Sequence, residues 1–193
     1  MQRRNRRFVP RLAKHRPPPI ASTSDRVLQT ELDVVEREMD QISPESKAFA
    51  LWVDKDILLP FVKLLEDNNQ GLGGESIDQL DEILEDAVSL IFSEKYDWNF
   101  PRPFKVKDLG HVEVSSTTET PSYPSGHSAQ ARLIARLLSQ RSPHLENLLL
   151  RLGERIGWSR IQLGYHYPQD HYEGRNLGDN LYCQMVLAEE SVK

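Results

Sequence analysis

Cysteine occurs once, at Cys183, in a chain of 193 residues. No internal disulfide is therefore possible, and nothing in the composition argues for an oxidising compartment; with no motif around it, Cys183 reads as a buried spectator. Long apolar runs are also missing. Crossing a bilayer takes about 18–20 consecutive apolar residues, and the richest stretch, Leu145 to Ile161, is interrupted by Arg151, Glu154 and Arg155, which argues against a membrane span. Acid is absent from the first 16 residues, which carry seven Lys or Arg, whereas the rest sets 17 basic against 29 acidic residues, a net of −12. An acidic body is a poor general binder of nucleic acid, because phosphate backbones reward a basic face. The basic arm alone stays a candidate contact for nucleic acid or an anionic surface, and as a charge run it reads first as a solvated tail. A secretory signal is not found: Phe8-Val9-Pro10 is no apolar core of ~7–15 residues, and Pro17-Pro18-Pro19 would interrupt an amphipathic transit helix. A cytoplasmic location is expected.

What is present is an ordinary globular composition, 38% hydrophobic and 27% charged. Residues 1–24 read as the basic arm and a Pro-rich linker, and 25–193 as one α-helical domain. No strand pattern or repeat interrupts the helical periodicities, so the class is all-α. A first helix runs from Asp25 to Ile42. A second runs from Pro44 toward Asp67, with Pro60 set to kink or break it. The spacing of Ile77, Leu80, Ile83, Leu84, Ala87, Val88 and Ile91 predicts a third, capped by Ser76 with Gln79 and ending near Lys95. After an irregular stretch from Trp98 to Thr120, a fourth begins around Gly126 and buries Leu133, Ile134, Leu137 and Leu138. A fifth starts at Ser142-Pro143 with Leu145, Leu148, Leu149, Leu152 and Ile156 inward, and a sixth runs from Pro168 toward Ala188. The helices before Lys95 are expected to shape a substrate pocket and to offer a candidate face for a homodimer.

Three clusters carry chemistry: Lys95 with Arg102-Pro103; Pro124-Ser125-Gly126-His127; and Ser159-Arg160 with His166 and Asp170. Lys95, Arg102 and Arg160 supply three cations for a ligand of about two negative charges, and phosphoryl transfer asks mainly for positioning and charge stabilisation. Arginine grips oxygens bidentately, and lysine adds a point charge. Ser125 and Gly126 precede a helix, so their N–H groups and the Ser125 hydroxyl suit an anion, and Gly126 allows close approach. Asp170, four residues beyond His166, can hold one ring nitrogen and leave the other to attack phosphorus. His127 can then protonate the leaving oxygen and later activate water. Each residue alone has a plainer reading as a solvated cation, a turn or a structural histidine. His166, Asp170 and His171 also have the composition of metal ligands, but neighbouring helical residues point about 100° apart. No metal and no cofactor is expected. His15, His111 and His144 read as surface residues.

Together the clusters resemble the signature of the type 2 phosphatidic acid phosphatase and vanadium haloperoxidase superfamily, with all eleven specified positions met between Lys95 and Asp170. The stretch Ser122 to His127 is similar to the Gly-Ser-Tyr-Pro-Ser-Gly-His-Thr motif of the bacterial class A non-specific acid phosphatases, with Pro121 in place of the glycine and Ser128 in place of the threonine. The resemblance implies a helical bundle framing the site, metal-free hydrolysis of phosphomonoesters such as nucleotides or sugar phosphates, transfer to alcohols, and inhibition by vanadate. Rivals are a diphosphatase or phosphotransferase of the same superfamily, a vanadium haloperoxidase, and a non-catalytic protein that docks a phosphate group.

Overall fold

Ser24 and Ser43 each turn a side-chain oxygen onto a first-turn N–H, of Val27 and Ser46, and so start α1 (Asp25–Asp40) and α2 (Pro44–Lys55). The structure is a computed structural model that describes residues 17–190, with side chains through residue 187. The basic arm at 1–16, with His15 and the contacts expected of it, lies outside the described residues. The pattern from Pro44 toward Asp67 resolves into two helices, because the chain turns at Asp56 and restarts as α3 (Leu59–Asp67). Pro60 cannot donate an N–H inside a continuous helix; here it occupies the first turn of α3, and Asp56 Oδ1 accepts from Leu58 and Leu59 N at 2.8 and 3.2 Å.

α4 (Gly74–Trp98) begins earlier than the capping pattern predicts. Gly73 is its N-cap and its carbonyl takes the first bonds from Ser76 and Ile77, so Ser76 and Gln79 form no capping box. The helix also runs a turn past the predicted end and stops at Asn99, which is left-handed at φ 46° and donates its N–H to Lys95 O. Within the irregular stretch lie a short helix, α5 (Pro103–Val106), and one 3-10 turn, Ser116–Thr118. Then follow α6 (Gly126–Arg141), α7 (Glu146–Gln162) and α8 (Pro168–Glu190). Strands are absent among the described residues, and the architecture is all-α.

α6 is the axis of the bundle. Its Ala129, Ala131, Leu133, Ile134 and Ala135 are fully buried, and Leu137 is half-buried. One apolar cluster joins it to α2, α3, α4 and α7 through Val53, Phe61, Leu84, Leu149 and Ile156; a second joins it to α4 and α8 through Ile91, Leu177 and Leu181. Each such side chain contributes roughly 1.5–3 kcal/mol by leaving water. Small residues let the helices close in: a Cβ at Gly178 of α8 would stand 2.5 Å from Ala129 O of α6. Two burial expectations fail. Leu148, expected inward, is 45% exposed, because the inward stripe passes through Leu145, Leu149 and Ile156. Cys183 lies on the outer face of α8 and is exposed.

Residues 17–24, which read as linker, are docked. Ile20–Ser22 form a 3-10 turn with Ala21 buried. Ala21 N donates to Gln169 Oε1 at 3.1 Å, and Tyr123 OH donates to Pro17 O at 2.8 Å. Gln169 and Tyr123 adjoin Asp170 and Ser122, two buried residues that stand behind the wall of the cavity described next.

Candidate active site

The bundle opens at one end into a cavity of about 410 Å³. Lys95 from the last turns of α4, Arg102 from the loop before α5, Gly126 and His127 from the first turn of α6, and His166 from the loop before α8 all line it. Asp170, Arg160 and Ser125 stand behind that wall and are fully buried. All eight residues singled out from the sequence therefore gather at one end of α6, five facing the cavity and three supporting those five.

The two ring nitrogens of His166 are held differently. Nδ1 lies 3.0 Å from Asp170 Oδ2, and Nε2 lies 3.2 Å from Arg102 Nη1. A carboxylate only accepts and a guanidinium only donates, so the proton sits on Nδ1 and the lone pair on Nε2. Asp170 is fixed in turn: its Oδ2 also accepts from Ser122 Oγ at 2.6 Å and Tyr167 N at 3.0 Å. Burial pushes the Asp170 carboxyl up to about 6, against the pull of those donors and of Lys95 and Arg102. At neutral pH it remains a carboxylate.

Arg102 spends most of its donors on backbone. Nε reaches Thr120 O at 2.8 Å, Nη2 reaches Thr117 O at 2.8 Å, and Nη1 reaches Tyr165 O at 3.0 Å. Lys95 Nζ donates to Pro121 O and Ser122 O at 2.8 and 2.9 Å, which leaves one ammonium proton for a ligand. Burial first, and then Arg102, brings the Lys95 ammonium down to about 7. Burial brings both Arg102 and Arg160 to about 10, so both stay charged at neutral pH. The same causes act on the histidines: burial first, then the surrounding cations, hold His127 and His166 well below 6.5. Buried positive charge in this quantity favours an anionic ligand.

Ser125 caps α6 by accepting from Ser128 N at 3.3 Å, while its own N–H goes to Asp170 O at 2.9 Å. The free N–H groups expected at a helix start are thus left to Gly126 and His127. Arg160 is likewise committed, with Nη1 2.9 Å from Asp54 Oδ1, Nη2 on Ala50 O, and Ser159 Oγ accepting from Nε and Nη2 at 3.1 and 3.0 Å.

Asp54 was not singled out from the sequence, and it is central here. It lines the cavity from the end of α2, pairs with Arg160, accepts from Thr117 Oγ1 at 3.1 Å, and stands 3.6 Å from His127 Nε2. No local pattern marks it: its partners lie 63 and more residues away. Ser122, the donor to Asp170, stood in the quoted motif without a role. The remaining cavity wall is mixed: Val53, Ile57, Val88, Ile91 and Phe92 form an apolar part, and Lys55, Asp56, Ser116, Thr117, Thr120 and Gln130 a polar one. Among the described residues no group of three or more His, Cys, Asp or Glu is placed to hold a metal, and His171 points away from His166, toward Glu154 and Ser128.

At one end of the all-helical bundle, two histidines, two carboxylates and three cations gather at one cavity. Residues 83–179 match the PAP2 superfamily, half of the chain, and the chain belongs to that superfamily. Among curated relatives it is 44% identical over 57 residues to a non-specific acid phosphatase of Salmonella typhi, covering 30% of this chain and 23% of that protein. It is 33% identical over 95 residues to a non-specific acid phosphatase of Providencia stuartii, covering 47% and 38%. The chain thus spans less than half the length of these relatives. Among solved structures, a transmembrane PAP2-type phosphatidylglycerolphosphate phosphatase from Bacillus subtilis superposes with a TM-score of 0.63 at 19% identity, over 90% of each chain. LpxE of Aquifex aeolicus superposes at 0.58 and 23% identity, over 82% of this chain and 94% of that one. These two establish the shared fold. In this chain no helix among the described residues is long and apolar enough to cross a membrane.

Proposed function

We propose that the protein is a metal-independent phosphatase that hydrolyses phosphomonoesters through a phosphohistidine on His166. The observation that carries this reading is the asymmetric hold on that ring, with Asp170 on Nδ1 and the Nε2 lone pair at the cavity wall beside Arg102. His166 Nε2 attacks phosphorus, the P–O bond to the alcohol breaks, and His127 gives its proton to the leaving oxygen. Asp170 stabilises the imidazolium that forms. Water then attacks the phosphohistidine, His127 takes its proton, the P–N bond breaks, and inorganic phosphate leaves. Lys95, Arg102 and the N–H groups of Gly126 and His127 face the oxygens, while Arg160 acts from behind Asp54.

The sequence likeness to non-specific acid phosphatases supports monoesters as substrates. A second reading has an apolar leaving group, as in a lipid phosphate; the wall of Val53, Ile57, Val88, Ile91 and Phe92 favours it, and the names of the two solved structures include a lipid phosphatase. The test is turnover of p-nitrophenyl phosphate in EDTA, with alkali-quenched enzyme examined by 31P NMR for a phosphorus–nitrogen bond. The expected result is turnover in EDTA and a phosphohistidine signal that His166→Ala abolishes. Loss of turnover in EDTA, or turnover surviving in His166→Ala, refutes the mechanism. A panel of nucleotides, sugar phosphates and lipid phosphates then separates the two substrate readings.

A further inference from the structure

The cavity continues past its cations, between α4 and α6. A Cβ at Gly126 would stand 3.5 Å from Ile91 Cγ2 and 3.8 Å from Lys95 Cε, while Leu84 shares an apolar cluster with Ile134, so the two helices run antiparallel. From Lys95 to Val88, both on the wall, α4 advances roughly 10 Å. On the other side α6 advances roughly 4.5 Å from His127 to Gln130, which also lines the cavity. With His166 attacking and His127 protonating the leaving oxygen, the alcohol departs from beside His127 into this end.

Gln130 is half-buried and makes no hydrogen bond to any described residue. Its polar neighbours on the wall are engaged or open to solvent. Asp56 accepts from Leu58 N, Thr117 donates to Asp54, and Lys95 and Arg102 hold backbone carbonyls; Lys55 and Ser116 are exposed. Asp54 adds a spare acceptor: its contacts with Arg160, Thr117 and His127 all converge on Oδ1, and Oδ2 has no partner among the described residues.

We propose that Gln130 determines specificity by hydrogen-bonding a hydroxyl of the leaving alcohol, so that the preferred esters are polyol monophosphates with a free hydroxyl a few bonds from the ester oxygen. This rests on the reading of the cavity as a phosphoryl-transfer site. Solvent reaches the amide while the cavity is open. A bound alcohol expels that solvent, and no described residue takes its place, so the ligand itself must supply the partner. An alkyl chain leaves the amide desolvated and unpaired. A hydroxyl both donates and accepts, and so matches both halves of the amide. An ester carbonyl, as in an acylated glycerol phosphate, only accepts and offers nothing to Asp54 Oδ2. Val88 and Phe92 on the α4 side suit the C–H face of the same carbon chain.

The test measures kcat/KM of the full chain for glycerol 1-phosphate, propyl phosphate and dibutyrylglycerol phosphate. Wild type is expected to prefer glycerol phosphate to propyl phosphate by at least about tenfold, and Gln130→Met, unbranched and of similar length, to lower that ratio about tenfold. Taking the ratio cancels any general loss of folded enzyme or of transfer rate. Equal values for the two esters in the wild type overturn the proposal without any variant, so it stays testable if Gln130→Met does not fold. A ratio unaltered in a folded Gln130→Met overturns it too, as does a wild type that prefers the dibutyryl ester to glycerol phosphate. If no ester is hydrolysed, the phosphatase reading fails by itself, and the same ratios taken on the Kd values of the esters decide the role of Gln130.

Discussion

Asp54 Oδ1 lies 2.9 Å from Arg160 Nη1, an ion pair in which the guanidinium is wholly buried and the carboxylate nearly so. The same oxygen stands 3.6 Å from His127 Nε2. One carboxylate at the end of α2 therefore neutralises a cation of α7 and faces the proposed acid of α6, so α2 is joined to the candidate site as well as to the core.

Removing that carboxylate leaves Arg160 charged and unpaired in the interior. Breaking a buried pair from one side costs about 3–5 kcal/mol, so Asp54→Ala is expected to lower Tm by roughly 10 °C. It also removes the anion nearest His127, so protonating His127 becomes harder and kcat at mildly acid pH should fall more than tenfold. Asp54→Asn, which keeps an acceptor for Arg160, should recover much of the Tm and little of the kcat. Thermal denaturation beside steady-state kinetics checks both, and an Asp54→Asn enzyme with full kcat would remove Asp54 from the mechanism.

The dependence of kcat/KM on pH follows from the buried cations. His166 must be neutral to attack and His127 protonated to donate, and the pocket holds both well below 6.5. The acid form of His127 is thus scarce in the free enzyme at neutral pH, and the maximum of kcat/KM should lie on the acid side of 6.5. Above that, Lys95, at about 7, gives up its proton and with it a cation facing the oxygens. The alkaline limb should accordingly fall steeply, as two protons are lost, and Lys95→Gln should make it shallower. A maximum above pH 7.5 would contradict this charge assignment.

That the six candidate side chains of the three motifs belong together was legible because their order and spacing are properties of the chain itself: Lys95 and Arg102 flank one helix end, and His166 and Asp170 lie within one turn. The helices were legible for the same local reason, and errors fell at their boundaries, as at Gly73 in place of Ser76. Asp54, Ser122 and the Ser128–His171–Glu154 chain were not legible. Their meaning is a contact between helices distant in sequence, with 106 positions separating Asp54 from Arg160 and 43 separating Ser128 from His171. A single Asp on an amphipathic helix reads as a solvated face. Only packing against α6 and α7 turns it inward.

An anion should stabilise the fold by relieving repulsion among the buried cations. A ligand bound to the folded state at 100 times its Kd adds about 2.7 kcal/mol, so saturating phosphate or vanadate at pH 6 should raise Tm by roughly 5–10 °C. Vanadate should be the stronger, because five-coordinate vanadium imitates the phosphorus of the transfer step, and His166→Ala should erase its advantage over phosphate while leaving phosphate binding. At pH 9, with Lys95 neutral, the rise from either anion should be smaller. Equal effects at pH 6 and 9 would count against Lys95 as a ligand-facing cation.

Acid should weaken the fold through the two imidazoles of the proposed mechanism, His127 and His166. Their folded values lie below 6.5, so the unfolded chain binds protons there that the folded chain does not. Stability is therefore whole above about 6.5 and is lost as the pH falls toward the folded values, each histidine contributing a slope of up to about 1.4 kcal/mol per pH unit. Asp170 opposes this: raised from 3.8 to about 6, it takes up a proton in the folded state first, which favours folding as the pH drops through that interval. Two histidines outweigh one aspartate, so urea midpoints should decline from pH 7 to pH 5. His127→Asn should reduce the decline by up to one proton's worth. Replacing both histidines should leave the Asp170 contribution opposed by that of His171, which burial also holds below 6.5, and so flatten the trend; an undiminished decline in the double variant would place the acid sensitivity elsewhere in the fold.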